Sequence, residues 1–410
     1  MADLFVQDLE NERKKRKLNE ASQLCGQCSS LDFPSIFRTA DMYFAKRREA
    51  LKIPDPRGLF IHPFNDRLSH TSCCRLCRFF RSMRQHQGLS GADQAYSLMA
   101  FSSLSVEYSP TIGNTRAIAD EACVAVVPTA AEPVSDCFWT SNNGNAGRVA
   151  YIYRTRKEVN EDVMGCWGRE VSPNWNVEVA HEWMDFCRKF HRGNCRRKKL
   201  VRDSIIGFKV IDCHSAPWSV VEKGWAKEAY AALSYVWGQS QLSSTTDWPP
   251  VVKDAIQVTR DLGIRYLWVD RYCIDQKNAD EVRQMIARMG SIYDEAELTI
   301  VAAAGSGSSH GLPGVGHTLR RPQPKLKIEE TGGVLVSGLV SPKASVRDSA
   351  WSTRGWTCQE GYLSRKRLIF TDDQLYWECD GMCAGESKDI PLRMVHIAKG
   401  HRMQLFMDNL

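Results

Sequence analysis

Two pairs of cysteines stand two residues apart, Cys25-Gly-Gln-Cys28 and Cys74-Arg-Leu-Cys77, with 45 residues between the pairs. A turn carrying thiols at this spacing points both sulfurs at one ion, and two such turns complete a tetrahedral structural zinc site. His70 and Cys73 are alternates for one ligand. The competing reading is of buried thiols, since fifteen cysteines produce such pairs by chance. Cys187-x3-His191-x3-Cys195 sets a thiol, an imidazole and a thiol about one helical turn apart. Gly193 ends a helix before Cys195, which favours a packing role over a second metal. Asp270 closes the run Leu267-Trp-Val-Asp270, and Asp275 follows five residues on. At the end of a strand the Asp270 carboxylate reaches the carboxyl edge of a sheet, where it binds hydroxyls or orients Arg271. Capping of the following turn by Asp270 or Asp275 is the alternative.

These residues need elements to hold them. Residues 24–90 read as helical with cysteine punctuation, broken at Pro54, Pro56 and Gly58. The runs 96–101, 122–127 and 149–153 read as short strands, and 141–147 as a loop. After Pro173, Val179, Ala180, Trp183, Phe186, Cys187 and Phe190 recur at three and four residues and predict a helix. From 229 onward the elements alternate: strand 230–237, helix 251–262, strand 266–270, helix 279–293, strand 298–304. That alternation predicts a parallel sheet with right-handed crossovers. Residues 305–345, rich in Gly, Pro and Ser, predict a loop or a hairpin of 325–328 against 334–340. A helix near 356–362 and a strand at 367–370 then resume the pattern. Trp237, at the end of the first of these strands, either stacks on a ligand ring or covers the core.

At 410 residues, 43% of them hydrophobic, the chain is long enough for two or three domains with real cores. The net charge of +6 is concentrated in the Arg13–Lys17 run and in residues 188–202, which hold eight Lys or Arg and no acid. The rest is net acidic, which argues against dedicated nucleic-acid binding. No stretch approaches the ~18–20 apolar residues of a membrane span, and the first residues lack the apolar run of a secretory signal. The expectation is a cytoplasmic chain whose cysteines are thiols or metal ligands. Arg13–Lys17 is either a nuclear-import signal or a solvated charge run.

Tyr230-Ala-Ala-Leu-Ser-Tyr-Val-Trp-Gly238, Leu267-Trp-Val-Asp-Arg-Tyr-Cys-Ile-Asp-Gln276 and Arg354-Gly-Trp-Thr-Cys-Gln-Glu360 together resemble the heterokaryon-incompatibility (HET) domain of filamentous fungi. The likeness covers roughly 229–380, and the Cys-x2-Cys pairs, the Trp183–Cys195 segment and Phe208–Cys213 resemble regions that precede that domain. It implies nonself recognition and regulated cell death, with self-association or a second incompatibility protein as partner. That domain in turn resembles the Toll/interleukin receptor (TIR) fold, a flavodoxin-like sheet whose enzymatic members cleave NAD. Trp356-x3-Glu360 keeps the Trp-to-Glu spacing of the helix that carries the TIR catalytic glutamate. The TIR cysteine directly follows the tryptophan, whereas here Thr357 intervenes before Cys358.

The resulting expectation is an α/β chain: a flavodoxin-like (TIR-like) parallel-sheet domain in the C-terminal half, preceded by an α+β region with structural zinc on Cys25, Cys28, Cys74 and Cys77. Its segments are a mobile basic tail (1–23), a helical cysteine-rich region (24–90), a β-rich then helical region (91–228), the HET domain (229–380, insertion 305–345) and an extension (381–410). Glu360 is the catalytic candidate, with NAD as substrate bound by Ser234, Tyr235, Trp237, Asp270, Arg271, Asp275 and Trp356. Hydrolysis of the nicotinamide–ribose bond needs a carboxylate beside an oxocarbenium-like centre, as in glycoside cleavage. The competing readings place Glu360 on a solvated helix face and make the domain a non-enzymatic module that signals by self-association.

Overall fold

A computed structural model describes residues 24–64, 74–86, 95–107, 121–129, 151–156, 165–191, 193, 195, 205, 207–223, 228–238, 248–328 and 333–395. Arg13–Lys17, His70, Cys73 and the loop at 141–147 lie outside them, as do the side chains of Thr357, Cys358 and Gln359. The chain divides into two units, 1–170 with 323–341, and 171–322 with 342–410.

In the first unit, helix α1 (Phe33–Leu51) starts at Asp32, whose side chain accepts from Ser35 N, with a proline in its first turn. Strand β1 (Leu59–Phe64) and helix α2 (Arg75–His86) follow. The reading of 24–90 as helical missed β1, whose Pro63 reads as a breaker. Proline is tolerated there because β1 is an edge strand, with a register shift between Phe60 and His62. β2 (Tyr96–Ser102), β3 (Ala122–Pro128) and β4 (Ile152–Arg154) continue an antiparallel sheet. Its side chains alternate: Leu98, Ala100, Val124 and Val126 pack with Phe37, Phe44, Phe80 and Met83 of the helices, while Met99, Phe101, Cys123 and Ala125 face the other way.

The second unit begins with α3 (Val177–Phe190) and the hairpin β5 (Lys209–Asp212)–β6 (Ser219–Glu222). β7 (Tyr230–Ser234), α4 (Pro250–Asp261), β8 (Tyr266–Trp268), α5 (Ala279–Glu295) and β9 (Leu298–Ala302) then alternate as the pattern predicts. β7 pairs in parallel with both β8 and β9. The chain next forms the hairpin β10 (Lys325–Ile328)–β11 (Gly333–Ser337), and β11 pairs with β4, completing the sheet of the first unit. Returning, it makes α6 (Gly355–Leu363), β12 (Lys366–Phe370), β13 (Leu375–Cys379) and β14 (Met382–Gly385).

The expectation of a parallel sheet is corrected to a mixed one, ordered β14-β13-β12-β9-β7-β8-β5-β6. Four central strands are parallel, and antiparallel strands flank them on both sides. The parallel strands read Leu-Thr-Ile-Val-Ala and Tyr-Ala-Ala-Leu-Ser and are buried throughout, the pattern of strands covered on both faces. The antiparallel strands come from short hairpins, which need no crossover helix. This sheet runs from Lys209 to Gly385, beyond 229–380 at both ends. No described helix is long and apolar enough to cross a membrane.

Candidate functional site: a two-carboxylate cleft

The parallel strands of the second unit end together, and their carboxyl edge is where open α/β sheets bind ligands. A cleft of about 250 Å³ opens there, lined among others by Tyr235, Trp237, Asp270, Ile286, Arg354, Trp356 and Glu360. Ser234 is the last residue of β7 and fully buried; Tyr235 and Trp237 follow it, and Gly238, at φ 72°, turns the chain away. Asp270 comes two residues after β8 and opens a single helical turn. Glu360 sits on α6, which packs against α5 and β7.

Glu360 is 6% exposed, so the solvated-helix alternative does not hold. Its Oε2 accepts from Ser234 Oγ at 2.5 Å, and Ser234 Oγ in turn accepts from Trp351 Nε1 at 2.8 Å. The Tyr293 hydroxyl, which donates to Leu233 O at 3.3 Å, also favours the Glu360 anion. Buried Arg367 donates to Ser364 O at 2.6 Å and to Gly361 O, and pairs with Glu378 at 2.7 Å, which ties the end of α6 to the sheet. Asp270 accepts from Trp237 Nε1 at 3.0 Å and from the backbone N–H of Arg271 at 2.6 Å. The Arg271 guanidinium lies 5.5 Å from the Trp237 ring centre.

The two carboxylates oppose one another's ionisation. Burial, and after it the charge of Asp270, push Glu360 up to about 8 against the pull of Ser234, Tyr293 and Arg354. Burial pushes Asp270 up to about 6, although the Arg271 N–H, the Trp237 indole and the charges of Arg354 and Arg271 favour its anion. Tyr235, raised by burial, keeps a buried hydroxyl that has no hydrogen-bond partner among the described residues. Trp356, 55% exposed, and Ile286, 44% exposed, leave apolar surface at the cleft.

Of the residues singled out in the sequence, Tyr235, Trp237, Asp270, Trp356 and Glu360 line this cleft, and Ser234 lies behind Glu360. Arg271 meets it through Trp237. Asp275 does not line it: exposed, its Oδ1 accepts from Lys277 N at 3.0 Å, a turn-capping role. Arg354, Trp351 and Tyr293 were missed as contributors. Arg354 opens the quoted Arg-Gly-Trp stretch and was the legible one; Trp351 and Tyr293 act through tertiary hydrogen bonds that no local spacing announces.

In the first unit, Cys25, Cys28, Cys74 and Cys77 bring their sulfurs within 4.8 Å of one another. Cys77 Sγ stands 3.6 Å from Cys25 Sγ and 3.5 Å from Cys28 Sγ. Cys74 immediately precedes α2 and its carbonyl accepts from Arg78 N. Burial opposes ionisation of Cys74, yet the backbone N–H groups of Cys77 and Cys25 bring its thiol down to about 7. Burial pushes Cys28 up. One thiol poised to ionise among three close neighbours is a donor set fit for a thiophilic cation.

The second unit is thus an α/β domain with a buried glutamate and a half-buried aspartate at the carboxyl ends of its parallel strands. Residues 230–360 match the family model described as Heterokaryon incompatibility protein (HET). The matched span opens on the first residue of β7, closes on Glu360 and contains every residue named here as lining the cleft. No curated protein and no solved structure matches the chain.

Proposed function

We propose that the chain is a nonself-recognition and cell-death effector whose cleft hydrolyses the nicotinamide–ribose bond of NAD. The observation that carries this reading is the buried Glu360 carboxyl, held by Ser234 in one cleft with Asp270 and two indoles. The parallel strands, numbered in chain order, lie 2-1-3-4 across the sheet, as in flavodoxin-like folds, which supports the TIR-like reading. About 250 Å³ is below the usual 300–1,000 Å³ of a full ligand pocket and suits one end of a dinucleotide.

The cationic nicotinamide ring favours the ionised form of Glu360, offsetting the repulsion from Asp270. As the C–N bond breaks, nicotinamide leaves with the bonding pair, and the Glu360 carboxylate stabilises the ribosyl cation. Water adds to the anomeric carbon and loses a proton, yielding ADP-ribose; attack by an internal nucleophile gives a cyclic form. Trp237 and Trp356 offer ring faces for stacking, and Asp270 an acceptor for ribose hydroxyls. In the first unit, zinc on Cys25, Cys28, Cys74 and Cys77 is the structural complement, and Cys74→Ser should unfold that unit.

Chromatography of NAD incubated with the full chain tests the reaction. Glu360→Gln should lower kcat for nicotinamide release by about 10²–10³ with little change in KM. Release at an unchanged rate rejects the assignment. If wild-type protein releases none, the exposed Trp356 and Ile286 become the surface through which a non-enzymatic module associates with itself.

A further inference from the structure

A second convergence of metal-ligating side chains lies in the second unit, remote in sequence from the first. Cys187 is on the last turn of α3, and His191 is its C-cap, its N–H bonded to Cys187 O at 2.9 Å. Cys195 lies in the turn beyond, and Cys379 is the last residue of β13. The four ligating atoms fall within 4.8 Å of one another, and all four residues are buried.

We propose that Cys187, His191, Cys195 and Cys379 form a second structural zinc site that fastens the end of α3 to β13. Zinc–sulfur bonds of about 2.3 Å and a zinc–nitrogen bond of about 2.0 Å make a tetrahedron with edges of about 3.5–3.8 Å. The Cys379 Sγ to His191 Nδ1 separation of 3.3 Å is near such an edge.

The glycine at 381 is an independent sign that the imidazole is seated on purpose. A Cβ there would stand 2.7 Å from three atoms of the His191 ring, Nδ1 among them. Gly381 lies in the turn between β13 and β14 but has no left-handed φ, so its backbone does not demand a glycine and the missing side chain admits the ring. Disulfide pairing would leave one of the three thiols over and would not use the imidazole. Three sulfurs and an aromatic nitrogen drawn from a helix, its cap, a turn and a strand are a complete shell for a closed structural site.

Metal analysis of the full chain, purified without chelator, reads the proposal directly. Two equivalents of zinc are expected, one lost in Cys379→Ser and the other, separately, in Cys74→Ser. His191→Cys keeps a four-thiolate shell and should retain both equivalents, whereas His191→Ala should retain one; a packing histidine would show no such rescue. Cobalt substituted into Cys74→Ser protein should give thiolate charge-transfer absorption that His191→Cys strengthens. The proposal is overturned if Cys74→Ser protein carries no metal, or if Cys379→Ser protein carries as much as wild type. Failure of the first cluster alone appears differently, as one equivalent that Cys379→Ser removes and Cys74→Ser leaves in place.

Discussion

Each unit has a groove, and the larger is the quieter. In the first unit a groove of about 460 Å³ lies between α1, β4 and the β10–β11 hairpin, lined by Phe33, Phe37, Asp41, Arg154, Trp167 and Leu335 among others. Of the two arginines that line it, Arg38 is exposed and the half-buried Arg154 is matched: it pairs with Asp41 at 2.9 Å and with Glu121, its guanidinium lying over Phe37 and Trp167. The cleft of the second unit has about 250 Å³ and holds two carboxylates whose ionisation is mutually opposed. Volume says where something fits; unresolved charge says where something is done.

The sharpest way to separate structural from functional charge is to break a resolved pair inside the second unit. Arg367→Met leaves Glu378 buried without its cation and frees the carbonyls at the end of α6. Thermal or urea unfolding should show a loss of about 3–5 kcal/mol. The cleft should behave oppositely. A carboxyl whose folded pKa is raised is stabilised while protonated, so its contribution falls as pH rises from its free value of 4.5 through about 8. Glu360→Gln should remove that slope, leaving the variant more stable than wild type at pH 8 and similar to it near pH 4. Equal pH dependence of the two melting temperatures would contradict the account of the cleft.

Smaller effects test the first groove. Arg154→Ala strands Asp41 and Glu121, but the site is partly exposed and solvent screens it. A loss of about 1–2 kcal/mol is expected in urea titration, with nicotinamide release unchanged. A change in turnover would end the contrast between the grooves. The smallest effect is a displacement of titration: Asp270→Asn removes the like charge beside Glu360, so the Glu360 carboxyl should titrate lower than about 8 when followed by carboxyl NMR.

Local pattern made much of this readable. Leu267-Trp-Val-Asp270 and Tyr230–Trp237 are short apolar runs ending in polar or aromatic residues, so a parallel arrangement delivers Asp270 and Trp237 to the same edge. The stripes of α4 and α5 announce the crossovers. What stayed hidden depends on distance along the chain. The 325–340 hairpin is legible as a local antiparallel pair, but its partner β4 lies far upstream, before the whole α/β alternation of the second unit. Cys379 joins His191 across 188 residues, so the second thiol cluster looked incomplete. β1 escaped because an edge strand tolerates Pro63 where a central one would not.

The hairpin β10–β11 leaves one sheet between β9 and α6 to finish another. A ribosome making this chain delivers β1 to β4 early, yet β4 keeps an open rim until residue 337 has emerged, after β7, α4, β8, α5 and β9. An open rim is a template for pairing with other chains. Expression of residues 1–228 alone should therefore yield aggregates rather than a working fragment. No single cut separates the two units, so their order of synthesis is interleaved.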